Sequence, residues 1–444
     1  MEKDTIAAVA TPPGEGGIGI IRISGPAAEP ILRRVFRPAG GGEVPWENRK
    51  LYYGFVTEGD RVLDEGMAVL MRAPGSYTRE DVAELQLHGG SYVLTRALEL
   101  CLEQGARLAG PGEFTRRAFL NGRIDLSRAE AVMSLISARG EAQHRAAVRE
   151  MRGGVTAFVR DAADRLYEIQ AGLAACVDYP EEISEEEGAA EMIPRLESLI
   201  AFLRNAVRER DSRLLHQGLR VALAGRPNVG KSSLLNALLG EEKAIVTAIP
   251  GTTRDPVSGE MNLDGVRVLL TDTAGVRETG DEVERIGVER SLRAMAEADA
   301  VLLVLDGSEP LRGEDRDLLA RLPREAAVVM NKSDLPARAE LTDTEHEVLT
   351  CSALRPETLG GIREWLRHFT AVSDRMEVTQ PRQLDALKRA VGFLESALET
   401  AKTLPPDLAA TDLQSAQAAL GEITGDRVDE RLLDQVFSRF CVGK

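Results

Sequence analysis

The chain has 444 residues, 43% of them hydrophobic and only 4% aromatic, a length too great for one core and a composition ordinary for a folded protein of two or three domains. Its 55 basic and 71 acidic residues leave a formal net charge of −16, which excludes a generally basic nucleic-acid-coating surface, so any nucleic-acid contact must use a local basic patch. The opening Met1-Glu2-Lys3-Asp4, soon followed by Pro12-Pro13, is unlike a secretory signal, no apolar run reaches membrane-spanning length, and Cys101, Cys176, Cys351 and Cys441 have neither metal nor disulfide spacing; a cytoplasmic protein without membrane contact is expected.

The first third alternates short strand-like runs at 18–24, 51–57 and 67–71 with glycine-rich turns and one helical stretch after Gly89-Gly90, the pattern of a separate α/β domain. His88, just before those glycines, reads as structural. From Asp125 the character changes. Ser127 and Glu130 have capping-box spacing, and Val155, Phe158, Ala162, Leu166, Ile169 and Leu173 recur on one helical face. The acidic run at 181–187 reads as solvated, and Arg204, Arg208, Arg210, Arg213 and Arg220 as a charged helix face rather than an RNA site.

Residues 225–232 read Gly-Arg-Pro-Asn-Val-Gly-Lys-Ser, between a strand-like run at 219–224 and a helix-like run at 232–239. That is the strand-loop-helix context of a loop built to hold nucleotide phosphates. Gly225 and Gly230 permit a tight turn whose N–H groups point at phosphate oxygens. The stretch Asn228, Val229, Gly230, Lys231, Ser232 and Ser233 is the expected contact, with Lys231 reaching the terminal phosphates and the Ser232 hydroxyl on Mg²⁺. Asn228 has two readings: a turn former, or an oxygen ligand for a monovalent cation beside the phosphates.

Next comes Thr247-Ala248-Ile249-Pro250-Gly251-Thr252-Thr253, a segment that can close over the nucleotide and offer Thr253 as a second hydroxyl to Mg²⁺. An apolar run at 266–271 leads into Asp272-Thr273-Ala274-Gly275, where a carboxylate holds Mg²⁺ through water and the Gly275 amide meets the γ-phosphate. Val276 stands where small signalling GTPases carry a water-orienting glutamine, and an apolar side chain cannot do that work. Glu284 is therefore the catalytic candidate, against the alternative that it and its acidic neighbours merely favour a helix N-terminus.

Asn331-Lys332-Ser333-Asp334 and Cys351-Ser352-Ala353-Leu354 complete the set. The Asp334 carboxylate accepts two hydrogen bonds from the N1–H and 2-amino edge of guanine, a donor pair adenine lacks, while a backbone amide at Ser352 or Ala353 meets the guanine oxygen. The nucleotide is therefore GTP. The order of these elements matches GTP-binding proteins related to translation factors over roughly residues 218–372, whose fold is a mostly parallel sheet wrapped by helices. Helical periodicity resumes with Leu384, Leu387, Val391 and Leu394, then Val428, Leu432, Val436 and Phe440. The expected architecture is multidomain α/β. It has an N-terminal α/β domain over 1–119, an all-α domain assembled from 120–216 and 374–444, and a Ras-like P-loop G domain inserted at 217–373. Cys441 has two readings, a nucleophilic thiol or a small buried apolar residue at helical spacing from Phe437.

Outside the G domain the chain carries Asp4-Thr5-Ile6-Ala7-Ala8, Gly19-Ile20-Ile21-Arg22-Ile23-Ser24-Gly25, Ser76-Tyr77-Thr78, His88-Gly89-Gly90, Pro111-Gly112-Glu113-Phe114-Thr115, Ala118-Phe119-Leu120-Asn121-Gly122 and Cys441-Val442-Gly443-Lys444. With Gly251-Thr252-Thr253-Arg254-Asp255 inside it, the chain closely resembles the MnmE (TrmE) family of tRNA-modification GTPases over essentially its full length. The resemblance implies a homodimer whose N-terminal domains bind 5-formyl- or 5,10-methylene-tetrahydrofolate. It implies a flavoprotein partner, MnmG, in a heterotetramer that places a carboxymethylaminomethyl or aminomethyl group on carbon 5 of a tRNA wobble uridine. It also implies G domains that associate around K⁺, with Asn228, Thr247, Ile249 and Thr252 as ligands and Glu284 serving the water. For folate it implies Arg22, Glu84, Arg123 and Lys444, although many members have lysine in place of Arg123. Read from the residues alone, Arg22 is a charge at an edge-facing strand position and Glu84 and Arg123 are surface residues. The competing class is a ribosome-assembly GTPase acting as an RNA-binding switch, but no Gly-x-x-Gly clamp in a basic context follows the G domain.

Overall fold

The computed structural model describes residues 4–40, 44–179, 181–182, 184–240, 258–272, 293–341, 344–372 and 378–443. The chain divides into two compact units, one of Met1–Met133, Glu150–Ala201 and Ala386–Lys444, the other of Ser134–Arg149 and Phe202–Asp385.

In the first unit, strands β1 (Ile6–Val9), β2 (Gly16–Ser24), β3 (Phe36–Pro38), β4 (Leu51–Glu58), β5 (Arg61–Met71), β6 (Val82–Gly89) and β7 (Arg107–Leu108) form one sheet in the order β3-β4-β5-β6-β2-β1-β7. Neighbours are antiparallel except β1 and β7. One face packs Ile21, Ile23, Leu70 and Leu85 against the helices Ala28–Val35 and Ser91–Glu103. β5 starts earlier than the apolar run predicts, because the polar stretch from Arg61 pairs back on β4 across a tight turn, Glu58 opposite Arg61. β2 lies between β6 and β1, so Arg22 is not at a sheet edge.

The helix Gly154–Asp178 buries Val155, Phe158, Ala162, Leu166, Ile169 and Leu173, the face its spacing predicts. The helix Leu126–Ser137 starts differently from expectation. Its cap is Asp125, whose Oδ1 accepts from the Arg128 amide at 2.9 Å, while Ser127 is buried and donates to the same carboxylate at 2.6 Å. Thr156 donates to the other Asp125 oxygen at 2.6 Å, so one side chain starts one helix and tethers another, Gly154–Asp178. Asp125→Ala should therefore lower the unfolding free energy by about 1–2 kcal/mol, and chemical denaturation should find a smaller loss for Ser127→Ala. The reverse ranking would return the cap to Ser127.

Past the final helix, Glu430–Phe437, the chain returns to the N-terminal sheet. The Gly112 amide donates to the Cys441 carbonyl at 3.3 Å and Val442 bridges to Pro111. Cys441 is exposed, so it is not the buried apolar residue its spacing allows.

In the second unit, β8 (Leu219–Ala224), β9 (Ser258–Leu263), β10 (Val266–Asp272), β11 (Ala300–Asp306), β12 (Ala326–Asn331) and β13 (Glu347–Thr350) form a sheet in the order β13-β12-β11-β8-β10-β9. Only β9 and β10 are antiparallel. β11 is buried along its whole length, as a strand covered on both faces must be, hence its unbroken apolar sequence. Ligands of such sheets bind beyond the carboxyl ends of the strands. There β8 enters the phosphate loop, and β10, β11 and β12 end on Asp272, Asp306 and Asn331.

Candidate functional site

At the end of β8 the chain turns through left-handed backbone, with φ of 140° at Gly225, 65° at Asn228 and 98° at Gly230. A Cβ on Gly225 would run into the Val304 carbonyl and one on Gly230 into the Asn331 side-chain amide. Close approach as well as turn geometry therefore demands glycine at both positions. Lys231 opens the helix Lys231–Gly240 and is only 4% exposed. Its ammonium donates to the carbonyls of Gly225 at 2.7 Å and Arg226 at 2.9 Å. Burial pushes this ammonium below the ordinary lysine range, with the Asp272 charge acting in the opposite direction. The Ser232 hydroxyl donates to Asp272 Oδ2 at 2.6 Å, and Asp272 is buried. A hydroxyl and a carboxylate this close form the hard oxygen donor set that suits Mg²⁺. Asn228 is exposed, and its left-handed backbone meets the demand of the turn.

The guanine end is built from the next two strands. Buried Asn331 donates to the Val229 carbonyl at 2.9 Å and accepts from the Ala353 amide at 3.0 Å, clipping the phosphate loop to the loop after β13. Ser352, fully buried, donates to Asp334 Oδ1 at 2.5 Å, while its own amide is held by Thr358 at 2.9 Å. The Ser352 hydrogen bond holds the Asp334 carboxyl below the usual range, keeping it an acceptor at neutral pH. Lys332 sits at φ 64° with its ammonium 2.5 Å from Asp306 Oδ2.

The edge of one sheet thus gathers Asn228, Val229, Gly230, Lys231, Ser232, Ser233, Asp272, Asn331, Lys332, Asp334, Ser352 and Ala353. Thr247, Ala248, Ile249, Pro250, Gly251, Thr252, Thr253, Thr273, Ala274, Gly275, Glu284 and Lys444 lie outside the described residues. Sequence reasoning missed Asp306 and Thr358, although an aspartate ending a wholly apolar strand was a readable signal for the first.

A second cluster lies in the first unit. Arg22 and Glu84 face each other across β2 and β6, with Nε donating to Oε1 at 2.8 Å and both side chains mostly buried. Glu84 is therefore not the surface residue expected from the sequence. The Arg22 guanidinium lies 5.5 Å from the Tyr77 ring centre, and that of Arg123 lies 4.6 Å from the same ring. Arg123 is exposed, as expected, and donates to the Tyr77 carbonyl at 3.1 Å. Arg22 also reaches the Gly443 carbonyl at 3.4 Å. A carboxylate beside two guanidinium planes and an aromatic ring fits a flat heterocycle with an amino and N–H edge and an anionic tail. Tyr77 was missed as a member of this cluster, since nothing local links it to Arg22.

The remaining expectations concern surface charge. His88 meets Asp64 through its ring nitrogen at 2.7 Å and its amide at 2.9 Å, a fastening between β6 and β5. Arg213 and Arg220 face Asp299 at 2.9 and 3.6 Å, and Arg210 donates to the Phe369 carbonyl at 3.2 Å, so these three are engaged within their own unit, Arg220 from β8 rather than from a helix face.

Two sites so different in chemistry on one chain narrow the families it can join. The family model for the GTP-binding protein TrmE N-terminus matches residues 5–123, and that for the MnmE helical domain matches residues 126–441. The chain is 44% identical to the tRNA modification GTPase MnmE of Heliobacterium modesticaldum, 46% to that of Symbiobacterium thermophilum and 47% to that of Chloroflexus aurantiacus, each over 100% of both chains. The chain belongs to the MnmE family of tRNA modification GTPases. Like its MnmE relatives it is a GTP hydrolase, and its architecture is the expected mixture of an N-terminal α/β domain, helices and a P-loop G domain. MnmE membership over the whole chain favours tRNA modification over the ribosome-assembly switch. Among the described residues no helix is long and apolar enough to cross a membrane.

Proposed function

We propose that this chain is the GTP-hydrolysing component of a cytoplasmic system that modifies the wobble uridine of tRNA. It works as a homodimer with the flavoprotein MnmG, in a heterotetramer. Together they add a carboxymethylaminomethyl or aminomethyl group at carbon 5, drawing the one-carbon unit from 5-formyl- or 5,10-methylene-tetrahydrofolate. The observation that carries this reading is the Ser232–Asp272 hydrogen bond beside buried Lys231, in a chain whose family membership runs from end to end.

Asp334 selects guanine, and the phosphate-loop amides with Lys231 neutralise the phosphates. Ser232 and Thr253, with Asp272 through water, would hold Mg²⁺, which supplies charge neutralisation on the β- and γ-oxygens. The Gly275 amide meets the γ-phosphate and Glu284 orients the attacking water. Asn228, Thr247, Ile249 and Thr252 would hold K⁺ when two G domains associate, adding positive charge where the transition state turns more negative. Arg22, Glu84, Arg123 and Lys444 bind the folate, with the Tyr77 ring beside both Arg22 and Arg123. Cys441, on the tail whose Gly443 carbonyl Arg22 holds, is the thiol of that end.

The test reconstitutes the protein with MnmG and tRNA and measures wobble-uridine product by mass spectrometry alongside GTP turnover. Glu284→Ala should depress both, and turnover of the native protein should be faster in K⁺ than in Na⁺ at matched ionic strength. Undiminished modification by a variant that no longer hydrolyses GTP would defeat the coupling. Equal rates in the two cations would remove Asn228 as a ligand.

A further inference from the structure

We infer that Asp306 is a positioning residue for nucleotide binding, acting through Lys332, an inference that rests on the GTPase reading of this site. Asp306 ends β11 in register with Asn331 on β12 and is 5% exposed. Both its oxygens are engaged. Oδ1 accepts from the Ser308 amide at 3.0 Å and hydroxyl at 2.6 Å, while Oδ2 meets the Lys332 ammonium at 2.5 Å. The carboxylate is therefore fixed by its own loop and in turn fixes the lysine.

Lys332 needs that hold more than most lysines do. Its four-carbon stem has many rotamers, and ordering them at the moment of binding opposes binding. Its backbone is left-handed, a conformation a lysine keeps only where its surroundings impose it. The loop after Asp306 imposes it: the Gly307 amide donates to the Asn331 carbonyl at 2.9 Å. The same loop, with the helix Gly313–Leu319 that follows it, grips the other end of the site. Glu309 and Asp315 hold Arg226 at 3.0 and 3.2 Å, and the Arg226 carbonyl accepts from Lys231. The loop and helix after β11 thus preset a cation at the guanine end and steady the phosphate loop, although Asp306 belongs to none of the nucleotide motifs read from the sequence.

The test is a thermodynamic cycle on the full chain, using a fluorescent GDP and measuring thermal stability in parallel. Native protein that failed to prefer GDP over ADP would sink the site reading itself, before any variant is made. With that preference in place, Asp306→Asn should weaken GDP binding about tenfold, the scale of one charge-assisted hydrogen bond. It should weaken inosine diphosphate by the same factor, since the exocyclic 2-amino group is read by Asp334. In a Lys332→Met background the Asp306 change should cost nothing further. An equal loss in both backgrounds, or no loss in either, would overturn the inference. Should Asp306→Asn fail to fold, Ser308→Ala frees only Oδ1 and should give a smaller loss that also vanishes with Lys332→Met, while a loss that persists there would overturn it.

Discussion

Asp334→Asn is expected to exchange the nucleotide preference from guanine to xanthine. The native carboxylate presents two acceptors to the N1–H and 2-amino donors of guanine. An asparagine presents one acceptor and one donor, which leaves the 2-amino group facing an N–H and instead suits the 2-carbonyl of xanthine. Buried polar sites reject a mismatched partner far more strongly than apolar pockets do, so GTP affinity should fall by about 10³-fold or more. The Ser352 hydroxyl, which donates to Asp334 Oδ1 at 2.5 Å, can donate equally to the amide oxygen, so the loop itself should keep its shape. Competition between GTP and XTP for the variant reads the exchange directly, and a retained preference for GTP would refute the assignment of Asp334. The native preference has a pH limit of known sign. The Ser352 bond holds the folded-state value down, so the double acceptor survives below the ordinary carboxylate range and is lost only as pH falls through that lowered value.

The residues that sequence reasoning placed well share one property: their partners are close in sequence or their environment is uniform. The phosphate loop is a local turn, so its spacing alone defines it. β11 is covered on both faces throughout and β8 from Val221 onward, so their apolar runs announce buried strands. The helix Gly154–Asp178 shows its buried face because one stripe meets one core. Where sheet register or competing caps decide, the signal disappears. Arg22 and Glu84 are 62 residues apart and meet only because β2 pairs with β6. Tyr77 gains its place beside two guanidinium groups from long-range folding as well. The helix start at Asp125 was misassigned for a different reason: Asp125 and Ser127 are both good capping residues, and the link from Thr156 that favours Asp125 comes from another helix. Cys441 keeps helical spacing from Phe437, yet the helix ends at Phe437 and the tail turns to bond Gly112, which leaves the thiol exposed.

Lys231→Ala should cost turnover about two to three orders of magnitude, the loss seen when one preorganised charge donor leaves a transition-state site. The more telling result is its effect on folding. A structural lysine would take stability with it when removed. Burial instead pushes the Lys231 ammonium below its ordinary range, so the folded protein holds this cation at a cost. That cost is fully present below the lowered folded-state value and is relieved as pH rises from there toward the unfolded value. Removing the side chain removes the cost, while the Gly225 and Arg226 carbonyls each lose a hydrogen bond. These opposing terms predict a melting temperature in the absence of nucleotide that stays near the native value or rises, together with the collapse in turnover. Lys231→Arg should fail to restore activity despite keeping the charge, because a planar fork cannot occupy a site only 4% exposed that is shaped for a single ammonium. If Lys231→Ala melted far below the native protein, the lysine would be part of the scaffold, and its cation would not be held in readiness for phosphate.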